Sequence, residues 1–218
     1  MGDRNHYLIV IGGVILVGFL CVVTIRTSIK HRRRKASKLA EDLDMELLAS
    51  DNPNTLVVAG EFNDRATSVR YRKEKSSLDH IRNGFSKDPV IEAEEIIVSV
   101  ECDCGIIFRI CTTEAAVEDS EHIPNALLAA SGLRLQSQQG EKAAFLFEQP
   151  ETAQSLIDLF STSGASQIEV SGNNVSALIK EPGDISRSPA QISTILESLD
   201  RFARLLEFVA EEHHAAEN

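Results

Sequence analysis

Four cysteines and six histidines are the residues of this 218-residue chain best suited to nucleophilic or metal chemistry. Cys102-x-Cys104 and Cys111 offer three thiolates, and His80 or His122 would complete a tetrahedral zinc site. Structural zinc sites favour C-x-x-C knuckles, because that spacing lets a tight turn aim both sulfurs at one ion, and no such pair occurs here. The simpler reading makes Cys102 and Cys111 small buried strand residues facing each other across a hairpin, with Cys104 in its turn. A reducing cytosol would keep them as thiols. Cys21 lies in an apolar run near the N-terminus and reads as packing, with reversible palmitoylation a minor option.

The histidines add little. His6 and His31 flank the apolar run, while His213 and His214 sit beside Glu211 and Glu212 in a fraying tail that preforms no metal site. His80 and His122 fall in expected loops, where either could act as a general base. The chain holds no G-x-S-x-G elbow and no H-E-x-x-H helix to give such a base a task. Gly164 and Gly172-Asn173-Asn174 are isolated turns rather than phosphate loops. Asp64 and Arg65 at a hairpin tip, and Glu92, Glu94 and Glu95 ahead of a strand, read as solvated polar residues. The expectation is a protein with no catalytic, cofactor-binding or metal-ligating set: not an enzyme, and without a cofactor. An enzyme assembled from scattered residues, with His80, His122 and the cysteines first among them, is the alternative, and a zinc-stabilised domain is another.

The strongest signal is physical rather than chemical. Residues 7–25, YLIVIGGVILVGFLCVVTI, run without a charge. As a helix they would cover about 28 Å at ~1.5 Å per residue, close to the ~30 Å hydrocarbon core of a bilayer. The run is longer than the apolar part of a cleaved signal peptide, and no small-x-small site comes after it. On its C-terminal side stands a cationic flank of Arg26, Lys30, Arg32, Arg33, Arg34, Lys35 and Lys38. Positive charge is retained on the cytoplasmic side, so the expected topology is N-terminus outside and the rest inside. The same cations could also favour anionic lipid headgroups.

Charge separates the chain into two unlike parts. Residues 1–40 hold eight Lys or Arg and one acid, a net +7, whereas the remainder holds 14 basic and 32 acidic residues, a net −18. So acidic a body repels polyphosphate, and binding of nucleic acid is not expected. With 25% charged and 43% apolar residues, the chain has the composition of a folded protein.

The elements needed to position these residues emerge from periodicity. Residues 36–50 place Leu39, Leu43 and Leu47 four apart among acids, a short amphipathic helix that Pro53 ends. Hairpins are expected over 55–60 with 67–72, over 95–101 with 106–112, over 133–137 with 143–147, and over 167–171 with 175–180. Helices are expected over 124–131, over 151–161 after Pro150, and from Ser188–Pro189 onward, where Ile192, Ile195, Leu196, Leu199, Phe202, Leu205, Leu206 and Val209 make one apolar stripe. The fold class is therefore α+β: antiparallel hairpins covered by two amphipathic helices, behind a single N-terminal transmembrane helix. The expected organisation is a short outer segment 1–6, a span 7–25, a basic juxtamembrane linker 26–53, a cytoplasmic domain 54–210 and a tail 211–218. The expected role is a membrane-anchored interaction or scaffolding domain, with the bilayer and an unidentified protein as partners.

Overall fold

The computed structural model describes residues 2–50, 52, 55–73, 93–112, 122–182 and 187–217; of these, most side chains up to residue 28 and a few at element ends are outside the description. The chain opens with one continuous helix, α1 (Gly2–Asp42), and then forms strands β1 (Glu46–Leu48), β2 (Thr55–Phe62), β3 (Arg65–Lys73), β4 (Ala93–Glu101), β5 (Ile107–Thr112) and β6 (His122–Ile123). Helix α2 (Ala126–Ala130), strand β7 (Leu133–Ser137), helices α3 (Gly140–Glu148) and α4 (Pro150–Ser163), the pair β8 (Gln167–Ser171) and β9 (Asn174–Pro182), and helix α5 (Pro189–Glu217) complete it.

Among the described residues the nine strands make a single antiparallel sheet in the order β1-β2-β3-β4-β9-β8-β5-β7-β6. Alternation decides its two faces. Val69 and Tyr71, Ile96, Val98 and Val100, Phe108 and Ile110, Ile168 and Val170, and Val175, Ala177 and Ile179 point to one side and are buried. Ile97, Ser99, Arg109, Glu169, Ser176 and Leu178 point to the other and are half-buried. The helices gather on the first face: α5 crosses β4 and β9, α4 packs on α5, and the last turns of α1 lie on β1 and β2. The fold is α+β, with an antiparallel sheet and several helices.

Several local expectations are met for identifiable reasons. The β2–β3 hairpin turns at Asn63 and Asp64, both at positive φ (52° and 66°), a conformation these two residue types tolerate. Pro150 starts α4 and Gly164 ends it in the left-handed conformation. The stripe read on α5 is buried, apart from Leu205, which is half-buried.

Three expectations fail. The 95–101 and 106–112 strands form but do not pair, because the β8–β9 hairpin lies between them. Their link is not a tight turn but crosses the end of that hairpin: Cys102, Cys104 and Ile106 are buried and Asp103 and Gly105 exposed, the alternation of extended chain. Six extended steps reach about 20 Å, enough to pass the roughly 14 Å of three strand spacings. Second, 143–147 is not the return strand of a hairpin but part of α3, whose buried Ala143, Leu146 and Phe147 keep helical spacing. Phe147 meets Phe108 edge-on with ring centroids 5.4 Å apart. Third, the amphipathic segment 36–50 is helical only to Asp42 and then adds β1 to the edge of β2. As for a membrane span, among the described residues no helix is long and apolar enough to cross a bilayer, and much of the 7–25 run falls on side chains outside the description.

Candidate functional site at the docked helix and the cysteine corner

Two clusters of charged side chains are built into the fold, one at each end of the strands. The first is formed by α1. Its stripe Arg32, Ala36, Leu39 and Ala40 is buried against the sheet, while Arg26, Lys30, Arg33, Arg34 and Lys38 are exposed and Lys35 is half-buried. The 4-3 spacing of the buried set sorts one basic sequence into two faces. Arg32 thus differs from the cations read with it: its Nη2 donates to Glu94 Oε1 at 2.6 Å, and the residues are 3% and 2% exposed. Glu94, read from sequence as solvated, is a buried carboxylate at the start of β4. Nothing in its neighbourhood in sequence marks it, because its partner lies 62 residues away.

Further along α1 the backbones close up. Met45 comes just after the helix, and its N–H donates to the Ala40 carbonyl. A Cβ built on Gly60 of β2 would lie 2.8 Å from Met45 Cγ and 3.2 Å from Met45 Cα, so this crossing needs glycine. Between Arg32 and its end at Asp42, α1 advances about 15 Å at ~1.5 Å per residue, and Met45 follows in the turn that closes it. Gly60 pairs with Thr67, which pairs with Val100, six residues beyond Glu94. Six strand residues cover ~20 Å and the two strand spacings about 10 Å sideways, so α1 runs obliquely from the Glu94 end of the strands toward their other end.

The second cluster lies at the opposite end, where Arg65 ties the β2–β3 turn to α5. Its Nη1 and Nη2 donate to Glu207 Oε1 at 2.7 Å and Oε2 at 2.5 Å, and Nη1 also donates to the Glu101 carbonyl at 2.8 Å. Arg65 Nε is 3.0 Å from Asp200 Oδ1 but is not aimed at it, so that contact is an ion pair without a formed hydrogen bond. Glu207 also accepts from the Asp103 N–H at 2.9 Å. With the arginine as the largest cause, its carboxyl is held below the ordinary carboxylate range. Asp200 accepts from Asn63 and Arg204, which completes the network. The tip residue Arg65, read as solvated, is its hub.

Cys102 and Cys104 are buried beside this network, where the Cys102 thiol donates to the Ala203 carbonyl and the Cys104 thiol to the Ile106 carbonyl, each at 3.8 Å. The interaction of the two neighbouring thiols raises Cys102 and lowers Cys104 to about 7, with burial working against the second shift. Cys111 is elsewhere, on β5 between Gln167 and Arg134, with its thiol near the Arg134 carbonyl and Gln136 Oε1. The three thiols do not converge, and among the described residues no three His, Cys, Asp or Glu side chains form a metal-binding group. His80 lies outside the described residues, as does the His122 side chain. A concavity of about 840 Å³ beside β1 and β2 is walled by Asp44, Glu46, Glu61 and Asp64. Those walls are polar, unlike a small-molecule pocket with an apolar lining.

These features define a class: an α+β protein with one antiparallel sheet, helices on a single face, and a long N-terminal helix docked by a buried ion pair. Among solved structures the chain is similar to the crystal structure of the mycobacterial trehalose monomycolate transport factor A, TtfA. The sequence identity is 12% and the TM-score 0.52, over 79% of this chain and 93% of that one. Likeness at this identity concerns the fold alone. No family model matches the chain, and neither does any curated protein.

Proposed function

We propose that this is a single-pass membrane protein whose acidic α+β domain serves as a cytoplasmic interaction module rather than an enzyme. The observation that carries the reading is a run of exposed apolar side chains on α1: Leu16, Phe19, Leu20, Val22 and Val23 are 41–64% exposed. Each large apolar side chain left in water forgoes about 1.5–3 kcal/mol, and a bilayer around residues 7–25 recovers it. The helix continues unbroken from that run into the docked turns, so the anchor and the domain share one element. The exposed cations Arg26, Lys30, Arg33, Arg34 and Lys38 stand where positive charge holds a flank in the cytoplasm and attracts anionic headgroups. Tethering raises the effective concentration of the acidic body near other membrane components, which suits recruitment of a protein partner.

The test uses the full chain. It should resist alkaline carbonate extraction, and a reporter fused at its C-terminus should be accessible only from the cytoplasmic side. Crosslinking in native membranes should recover one partner in defined stoichiometry, with recovery falling as salt rises. Extraction by carbonate, or a reporter on the outer side, defeats the anchor. A hydrolytic or transferase activity that survives purification and is lost on substitution of His122 defeats the non-enzymatic assignment.

A further inference from the structure

The docking geometry says how the domain meets the bilayer, given the anchor proposed above. Arg32 lies seven residues beyond Ile25, the last residue of the apolar run. On a continuous helix that is about 10 Å. The headgroup layer outside the hydrocarbon core is itself roughly 5–8 Å deep. The Arg32–Glu94 contact therefore lies just past the headgroups, and it fixes the start of β4 at that height. Because α1 runs from the Glu94 end of the strands toward the other, the strand ends level with Glu94 form the near end of the sheet, and the Arg65–Glu207 corner forms the far end.

The charges at the near end fit this placement. Arg72 of β3 and Lys180 of β9 both pair in register with Glu95, one residue along from Glu94, and both are exposed. Glu95 meets Lys180 at 3.7 Å, so the row of three carries a net positive charge. One strand residue adds about 3 Å to the height, within reach of long cationic side chains that lay their stems along a surface and extend their heads. The exposed α1 cations lie at about the same level or closer to the bilayer, apart from Lys38. At the far end stand Glu61, Asp64, Glu101, Asp103 and Glu207, about 20 Å higher by strand rise. We propose that the sheet stands on the Glu94-level ends of β3, β4 and β9, with Arg72 and Lys180 against the anionic headgroups of the leaflet that α1 leaves, and the cysteine corner pointing away from the membrane.

The chain contains no tryptophan, so a single introduced indole reports position cleanly. Lys180→Trp places it at the near end, and Ser171→Trp places it at the exposed far end of the same hairpin, about six strand residues or ~20 Å away. Both full-length variants are reconstituted in vesicles of phosphatidylcholine and phosphatidylglycerol containing a headgroup spin-labelled lipid, and co-flotation is checked first. Lys180→Trp should lose most of its emission to the label, and Ser171→Trp almost none. Equal quenching at both sites, or stronger quenching at 171, overturns the orientation while leaving the anchor standing. Chains that do not float with the vesicles overturn the anchor itself. Lys180→Trp quenching that is as strong in purely zwitterionic vesicles overturns the assignment of anionic headgroups.

Discussion

Replacing Arg32 by methionine should destabilise the domain far more than replacing both members of its ion pair. The two charged atoms are 2.6 Å apart and the residues are almost sealed from solvent. At an effective dielectric constant near 20, their attraction is about 6 kcal/mol. Taking each ion out of water costs several kcal/mol, so the pair as a whole is worth little net. Losing only the arginine keeps the desolvation of Glu94 and removes the attraction that offset it, for an expected loss of roughly 3–5 kcal/mol. For a protein of this size that lowers Tm by about 6–20 °C. Arg32→Met/Glu94→Leu, which fills the same volume with apolar atoms, should recover most of the loss. The measurement is thermal unfolding of the full chain in lipid nanodiscs, monitored by far-UV circular dichroism, across the four members of the double-mutant cycle. A Tm for Arg32→Met within about one degree of wild type would refute the docking of α1, since a cation facing solvent or headgroups contributes only ~0–1 kcal/mol.

The remaining predictions address the contacts that position the two clusters. Gly60→Ala should cost about 1–3 kcal/mol from overpacking against Met45, and a Met45→Ala background should remove most of that penalty, as read by the urea midpoint. Glu207, with its carboxyl held low, stabilises the fold above the unfolded carboxylate value near ~4.3 and loses that contribution as pH falls through its lower folded value. Glu207→Gln should therefore be less stable at neutral pH by roughly 1–3 kcal/mol, with the difference from wild type closing in acid; a difference independent of pH would contradict the Arg65 assignment. In a Cys21→Ala/Cys111→Ser background, alkylation of Cys104 should titrate with a midpoint of about 7, and Cys102→Ala should shift it upward by removing the neighbouring thiol that lowers it. A midpoint unchanged by that substitution would show that the two thiols are independent.

Much of the architecture is legible in the sequence because its signals are local. The stripe on α5, the Pro150 start and Gly164 stop of α4, and the Asn63-Asp64 turn each write their geometry within a few residues. Pairing is not local in the same way. The strands at 95–101 and 107–112 are readable from alternation, but alternation names a face and not a neighbour, and the intervening β8–β9 hairpin lies more than 50 residues downstream. Residues 143–147 mislead because a short apolar cluster satisfies both periods, and the helix-favouring Glu141-Lys142-Ala143-Ala144 run is the signal that could decide it. The polar clusters are hidden for a related reason. Glu94 and Arg65 resemble surface residues in sequence, and what buries them are partners 62 and 142 residues away. Arg32, conversely, reads as one cation among seven, and only the burial of its helical stripe with Ala36, Leu39 and Ala40 sets it apart.

The late arrival of the central hairpin matters for a chain made from its N-terminus. Strands β1 to β4 can zip together as soon as residue 101 has emerged, yet the open side of β4, carrying Ile96, Val98 and Val100 on one surface and Ile97 on the other, has no mate until β9 is synthesised some 70 residues later. At translation speeds of about 5–20 residues per second, that half-built sheet waits several seconds with a greasy, unzipped seam. Such a seam invites strand addition from a neighbouring nascent copy. Anything that stalls elongation between residues 101 and 174 therefore converts a brief assembly gap into an aggregation hazard.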